Sequence, residues 1–229
     1  MTPIFMTDEQ VLIQTRHWLE KAVIGLNLCP FAKAVYVKNQ VRLVVSHARH
    51  ADDLLEELDR ELDLLVATPA SEIDTTLLIH PTLFEDFLDF NDFLEVAEGV
   101  VDEHGLEGVV QLASFHPKFQ FDGTEPDDIG NYTNRAPFAM LHLLREESVE
   151  KAVEAFPEAD AIFEVATVLI SSFVCNRGKK LADQVAGAGE DLDCVETGSL
   201  YASCRLGKSM NDVLYFGNIQ FMRCFTGQT

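Results

Sequence analysis

The chain has 229 residues, 47% of them hydrophobic, which is enough apolar material for a sizeable core, and its 38 acidic and 17 basic residues give a formal net charge of −21. Such a charge repels phosphate backbones and anionic membrane surfaces, so we expect neither nucleic-acid binding nor membrane docking. No apolar run is long enough to span a membrane, no signal peptide is expected, and the five cysteines form no C-x-x-C pair. These features favour a cytoplasmic protein with free thiols.

Apolar periodicity predicts helices that alternate with short strands. Residues 7–25 begin with Thr7 as an N-cap candidate followed by two acidic residues, and in residues 51–66 the leucines recur at helical spacing beside an acidic outer face. In chain order, the predicted elements are a helix over 7–25, a strand over 41–47, a helix over 51–66, a strand over 75–80, a helix over 84–104, a strand over 108–116 and a helix over 137–155, in which Pro137 suits the first turn.

This alternation predicts an α/β fold with a small, mainly parallel sheet of three or more strands, flanked by helices and connected by right-handed crossovers. A two-layer α+β sandwich with some antiparallel pairing is the alternative, since three strands make only a small sheet.

Each predicted strand ends on a histidine, namely His47, His80 and His116. If the strands are parallel, these side chains lie along the carboxyl edge of the sheet, where open α/β sheets bind ligands. They are weak candidates for metal ligands because their spacing matches no local metal motif. A satisfied structural role for each histidine is the alternative.

The long polar loop within residues 115–146 is the strongest functional signal, because loops of this length in compact domains are functional or disordered and this one contains aromatic residues. Arg135 precedes the predicted helix start at Pro137, and an arginine beside free helix amides is an anion site. The candidate ligand-binding residues are Arg135, Asn134, Asn131 and Lys118.

Four residues are candidates for catalysis. His116 follows a strand, and His142 and Glu146 would share one face of the predicted helix as an imidazole–carboxylate pair. Cys29 precedes Pro30, and a thiol at a helix N-cap has a lowered pKa that would activate it as a nucleophile. Ordinary capping, a solvated surface pair and a buried thiol are the structural alternatives.

Four segments carry a resemblance to a known family: GLNLCPFAKAV (25–35), TTLLIHPTLFEDFLDFNDFLEVAE (75–98), ASFHPKFQFDGTEPDDIGNYTNRAPFAMLHLLREESVEKAV (113–153) and FPEADAIFE (156–164). Over about residues 7–164 the chain resembles the bacterial family called domain of unknown function 1415. The resemblance implies no activity. Its recurrent motifs correspond to Cys29-Pro30, His116-Pro117, Gly123-Thr124, Asn134-Arg135 and His142 to Glu146.

The composition changes at about residue 165. Residues 1–164 carry 32 acidic and 11 basic side chains, whereas residues 165–229 carry six of each and four of the five cysteines. We therefore expect a family domain over 1–164 and a divergent tail over 165–229, consistent with a shifted reading frame, an alternative exon or a fusion. We expect this tail to pack poorly and to be dispensable for the fold.

Together these features suggest an enzyme that acts on a small anionic metabolite, with Arg135 and a helix N-terminus binding the anion and His/Glu pairs moving protons. The alternative is a non-catalytic module that binds a metal or a protein partner through its acidic helices. A third reading makes the polar loop a structural plug over the sheet edge.

Overall fold

A computed structural model describes residues 6–155. The described residues contain five α-helices and four strands. In chain order these are α1 (Asp8–Trp18), a π-helical turn (Leu19–Ile24), α2 (Ala32–Val37), β1 (Val41–Val45), α3 (Ala51–Ala67), β2 (Thr75–Ile79), α4 (Phe87–Glu103), β3 (Val110–Phe115), a 3₁₀ turn (Ile129–Thr133), β4 (Met140–Arg145) and α5 (Glu146–Glu154).

The four strands form one mixed sheet in the order β1-β2-β4-β3. β1 pairs with β2 in parallel, whereas β4 is antiparallel to both β2 and β3. The α/β fold class is thus observed, but two of the three strand pairs are antiparallel and the sheet is not mainly parallel. Because β4 reverses direction between them, β2 and β3 still run the same way as β1. The carboxyl ends of β1, β2 and β3 therefore lie at the same edge of the sheet.

Helices cover both faces of the sheet. Because side chains alternate between the faces along each strand, each strand contributes residues to two cores. Leu77 and Ile79 of β2 pack with residues of α1 and the π-helical turn in one core. Leu78, between them, packs with α3 and α4 in the other. The fold therefore has three layers, with the sheet between two layers of helices, whereas the alternative sandwich has two layers.

Local sequence explains the ends of α1. Thr7 accepts a hydrogen bond from the Gln10 amide while the Gln10 side chain accepts from the Thr7 amide, which completes a capping box. The π-helical turn stops at Gly25, where any Cβ would lie 2.5 Å from the Lys21 carbonyl oxygen. A glycine is therefore needed for the close approach of the backbone. None of the helices in residues 6–155 is long and apolar enough to cross a membrane.

The predicted helix over residues 137–155 was wrong in its first half. β4 is the inner strand between β2 and β3, and α5 follows at once from Glu146. The sequence MLHLLR packs on both faces, so it lacks the alternation that identifies a half-buried strand. The proposed domain boundary at residue 164 and the tail that follows lie outside the described residues.

Candidate functional site

The carboxyl edge of β1, β2 and β3 brings together the loops that follow these strands. His80 comes directly after β2, and His116 comes directly after β3. Each is only 1% exposed, and each packs against the ring of Phe90 from α4, with ring centroids 5.3 and 5.5 Å away. Two of the three predicted strand-end histidines therefore meet at one aromatic side chain.

His80 is the unusual member of the pair. Its ring lies edge-on to Phe84 at 5.5 Å, but within residues 6–155 no donor or acceptor meets either ring nitrogen in hydrogen-bond geometry. The Leu83 backbone lies near enough to the ring to oppose part of the fall in the His80 pKa, although its approach does not meet hydrogen-bond geometry. Buried side-chain polar groups are almost always hydrogen-bonded, so this imidazole requires an explanation.

Burial also fixes the protonation state of His80. Removal of the ring from water lowers its pKa from 6.5 to about 3, and the neighbouring His116 adds to the effect. At neutral pH His80 is therefore an uncharged imidazole that can donate one hydrogen bond and accept another. Such a low pKa suits a hydrogen-bonding group and not a general base working near pH 7.

The two ring nitrogens of His116 are both committed to the backbone. Since a carbonyl can only accept, Nε2–H donates to the Phe84 carbonyl oxygen at 2.8 Å, and Nδ1 accepts from the Lys118 amide at 3.0 Å. Burial lowers the pKa of His116, as does Lys118, while the Phe84 carbonyl and Asp86 oppose the change. His116 joins the loop after β3 to the loop after β2, and in this arrangement it has no free nitrogen for proton transfer.

Phe84 is held in a strained conformation over His80. Its φ is +59°, in the left-handed region that a bulky residue rarely adopts. The ring packs on His80 and, at 4.8 Å, on Phe93, while the carbonyl receives the His116 hydrogen bond. The strain, of order 1–3 kcal/mol, is maintained by contacts on both sides of this residue.

The polar loop is built around two asparagines. Asn131 is fully buried: its Oδ1 accepts from the Phe121 amide, and its Nδ2 donates to the Glu125 carbonyl. Asn134 donates to the Ser114 carbonyl at 3.3 Å. Both predicted ligand-binding amides are therefore occupied within the protein.

Arg135 also contacts the loop. Its guanidinium donates to the carbonyls of Phe119 and Pro126 and stacks over the Tyr132 ring at 4.4 Å. Its own carbonyl accepts from the Trp18 indole at 3.0 Å. The predicted anion site needed a helix start beside Arg135, and that geometry was wrong because β4 stands where the helix was expected.

Lys118 links the same two loops as His116 does. Its Nζ donates to the Glu85 carbonyl at 3.1 Å, next to the carbonyl that His116 holds. This exposed side chain therefore lies at the rim of the carboxyl edge and contacts the loop that covers His80.

His142 and Glu146 do not form the expected pair on one helix face. His142 lies in β4 on the opposite face of the sheet from His80, and Glu146 begins α5. The Thr75 hydroxyl gives its one hydrogen to the Leu143 carbonyl and therefore accepts from His142 Nε2–H at 2.6 Å. Desolvation lowers the pKa of the partly buried His142 to about 4.

Cys29 and His47 take part in other contacts. Phe31, not Cys29, is the N-cap of α2, and burial raises the pKa of the Cys29 thiol although the amides of Phe31 and Ala32 oppose the change. The expected placement of this thiol at a helix N-cap was therefore wrong. His47 is exposed and pairs with Asp8 at 3.0 Å. In the described part of the chain, no three His, Cys, Asp or Glu side chains are grouped as metal ligands.

His80 is the residue whose importance sequence reasoning underestimated, since the sequence placed it at the strand end but suggested only a weak metal-binding role. The sequence feature that pointed to His80 was its position at the end of a predicted strand, directly before Pro81. The lack of partners was not predictable, because it depends on where distant backbone groups lie.

Comparison with known proteins identifies a family but no activity. Residues 10–176 match the model of DUF1415, a protein family of unknown function, and the chain belongs to that family. The match extends past Glu164, where the resemblance was expected to end. Neither a search of curated proteins nor a search of solved structures found a match.

Proposed function

We propose that this member of the DUF1415 family binds a small molecule where the carboxyl ends of β2 and β3 bring His80 and His116 together, and that His80 contacts it. The observation that supports the proposal is a fully buried imidazole at the end of an inner strand, with no partner among the described residues for either nitrogen. Carboxyl edges of aligned strands are a common position for ligand sites in α/β proteins.

Energetics favour a functional explanation over a structural one. A buried polar group without a partner destabilises a fold by about 1–3 kcal/mol, and a left-handed Phe84 adds a further 1–3 kcal/mol or so. Net stabilities are only about 5–15 kcal/mol. Two unfavourable features in contact, at His80 and Phe84, are typical of a site organised for a ligand. Leucine in place of His80 and glycine in place of Phe84 would remove both features.

The chemistry of His80 also allows an enzymatic form of this proposal. A neutral imidazole can donate a hydrogen bond to a carbonyl oxygen that gains negative charge in a transition state. His116, in this proposal, is a positioning residue that keeps Phe84 closed over His80. The protein would be an enzyme that polarises its substrate through His80, with proton transfer left to a group of the substrate or to water.

The earlier hypothesis of an anionic metabolite is less well supported. Arg135 and Lys118 already donate to backbone carbonyls, and the strongly negative net charge repels anions at long range. A non-catalytic protein-binding module, acting through the acidic face of α3, is the competing proposal.

A thermal-shift screen of small metabolites separates these proposals. Ligands of the site should raise the melting temperature of the wild-type protein and of His47→Leu, which changes an exposed histidine, but not that of His80→Leu. Ligands that stabilise His80→Leu equally would refute the role of His80. A screen in which no small molecule stabilises the wild-type protein would favour the protein-binding module.

A further inference from the structure

We infer that the ligand of His80 is an uncharged, flat molecule that presents an amide-type N–H or carbonyl group to the imidazole. This inference rests on the proposed function and names the chemical class of the ligand. It follows from three features of the site: the absence of a counter-charge, the aromatic walls and the undetermined tautomer of His80.

Within residues 6–155 the charged groups near His80 form no net counter-charge, since Lys118 and Asp86, which both act on the adjacent His116, have opposite charges. The only titratable neighbour whose charge acts on His80 is His116, within residues 6–155, and both nitrogens of His116 are bonded to the backbone in its neutral form. Lys118, the cation at the rim, is directed to the Glu85 carbonyl. Because an unpaired charge is strongly disfavoured in an apolar site, the site selects for neutral molecules.

Aromatic rings form the walls of the site. Phe84 meets the His80 ring at an interplanar angle of 81°, and Phe90 meets it at 51°. Phe84 and Phe90 also contact each other, with ring centroids 5.7 Å apart. Aromatic surfaces offer a flat molecule the most contact area in offset or edge-to-face packing, so the walls favour a planar ring over an aliphatic chain.

The tautomer of His80 is free to adapt to the ligand. His116 and His142 each have one tautomer fixed, by the Phe84 carbonyl and by the Thr75 hydroxyl respectively. Within residues 6–155 no such hydrogen bond fixes the tautomer of His80. It can therefore offer either an N–H to a ligand carbonyl or a lone pair to a ligand N–H, and these are the two groups of an amide.

Entry to His80 requires movement of the loop over residues 81–86. Three side-chain contacts hold this loop closed: His116 to the Phe84 carbonyl, Lys118 to the Glu85 carbonyl and Thr82 to the Ala48 carbonyl at 3.4 Å. Opening breaks these bonds but relieves the strain at Phe84, which offsets part of the loss. The closed loop would exclude water from a bound ligand.

Benzamide and benzoate provide a matched test, because they share one shape and differ in charge. Both are titrated into the full-length, isotope-labelled protein while the NMR signals of the His80 ring and the Phe84 amide are followed. We expect benzamide to shift these signals saturably in the millimolar range usual for fragments, and benzoate to bind about tenfold more weakly or not at all. His80→Leu should abolish the benzamide response at Phe84, and His47→Leu should leave it unchanged.

The outcomes separate this inference from the proposed function. If benzoate binds as tightly as benzamide, with the same dependence on His80, the site is real but its selection for uncharged ligands is refuted. Benzamide shifts that persist in His80→Leu, or that appear only away from residues 80–90, would overturn both proposals. If benzamide causes no saturable shift of the NMR signals, the proposed ligand class is overturned. The thermal-shift screen of metabolites then decides whether His80 contacts any ligand.

Discussion

Replacement of His80 by leucine should make the protein less sensitive to acid. Leucine is similar in size to histidine and has no polar atoms to satisfy. At pH 7 the change removes an unsatisfied group that destabilises the fold by about 1–3 kcal/mol, and it loses two ring contacts worth about 0.5–1.5 kcal/mol each. These effects nearly cancel, so we expect the free energy of unfolding at pH 7 to stay within about 1 kcal/mol of the wild-type value.

The difference between the two proteins should grow as the pH falls. The pKa of His80 is about 3 in the folded protein, against 6.5 for an ordinary histidine. Between these two values the unfolded chain binds a proton that the folded chain does not, so the wild-type protein loses about 1.4 kcal/mol of stability per pH unit through this residue. Integrated from pH 7 to pH 5, the loss is about 2 kcal/mol. His80→Leu lacks this contribution and should be the more stable protein at pH 5.

Urea unfolding at pH 7, 6 and 5 measures the effect, with His47→Leu as the control because His47 is an exposed histidine paired with Asp8. The stability of His80→Leu should fall less steeply than that of the wild-type protein and of His47→Leu. The lowered pKa of His142 affects all three proteins equally and cancels in the comparison. If wild type and His80→Leu lose stability in parallel from pH 7 to pH 5, or if His80→Leu is several kcal/mol less stable at pH 7, His80 has a partner and the reasoning is refuted.

Substitutions at three further positions test the surroundings of the site by urea unfolding at pH 7. Phe84→Gly should be about 1 kcal/mol more stable than Phe84→Ala, because only glycine adopts φ +59° without strain; equal stability would show that the strain is absent. Arg135→Ala should lose about 1–3 kcal/mol through its two carbonyl hydrogen bonds, whereas a guanidinium kept for an anion would be removable without loss. Thr75→Val should lose about 1–3 kcal/mol by leaving His142 Nε2–H without an acceptor, and Thr75→Ser should not; similar losses would place the effect elsewhere.

Periodicity predicted the elements that bury one face. The helices over 51–66 and 84–104 correspond closely to α3 and α4, and the first three strands lie where β-branched and apolar runs indicated. β4 was missed because an inner strand that packs on both faces has no alternation, and because a true helix follows it without a loop. Sequence patterns record which faces are buried, not which strand a segment pairs with.

The convergence of His80 and His116 was predictable from the sequence, but their hydrogen-bond partners were not. The alignment of strand ends brought His80 and His116 to one edge, as expected from a sheet whose first three strands share a direction. The roles of His116 and Arg135 were not predictable, because their partners are backbone carbonyls of residues 32, 16 and 9 positions away. Carbonyls have no sequence signature, so a side chain that binds one resembles a free functional group in the sequence.

Comparison of His80, His116 and His142 separates imidazoles that the fold uses from one that it does not. His116 and His142 each have a hydrogen-bond partner that requires the ring, so leucine at either position would leave a backbone or side-chain group unsatisfied. His80 satisfies nothing within the described residues, so leucine there would leave no group unpaired. His80 has no partner within residues 6–155 and makes the fold less stable in acid, which supports the proposal that it contacts another molecule.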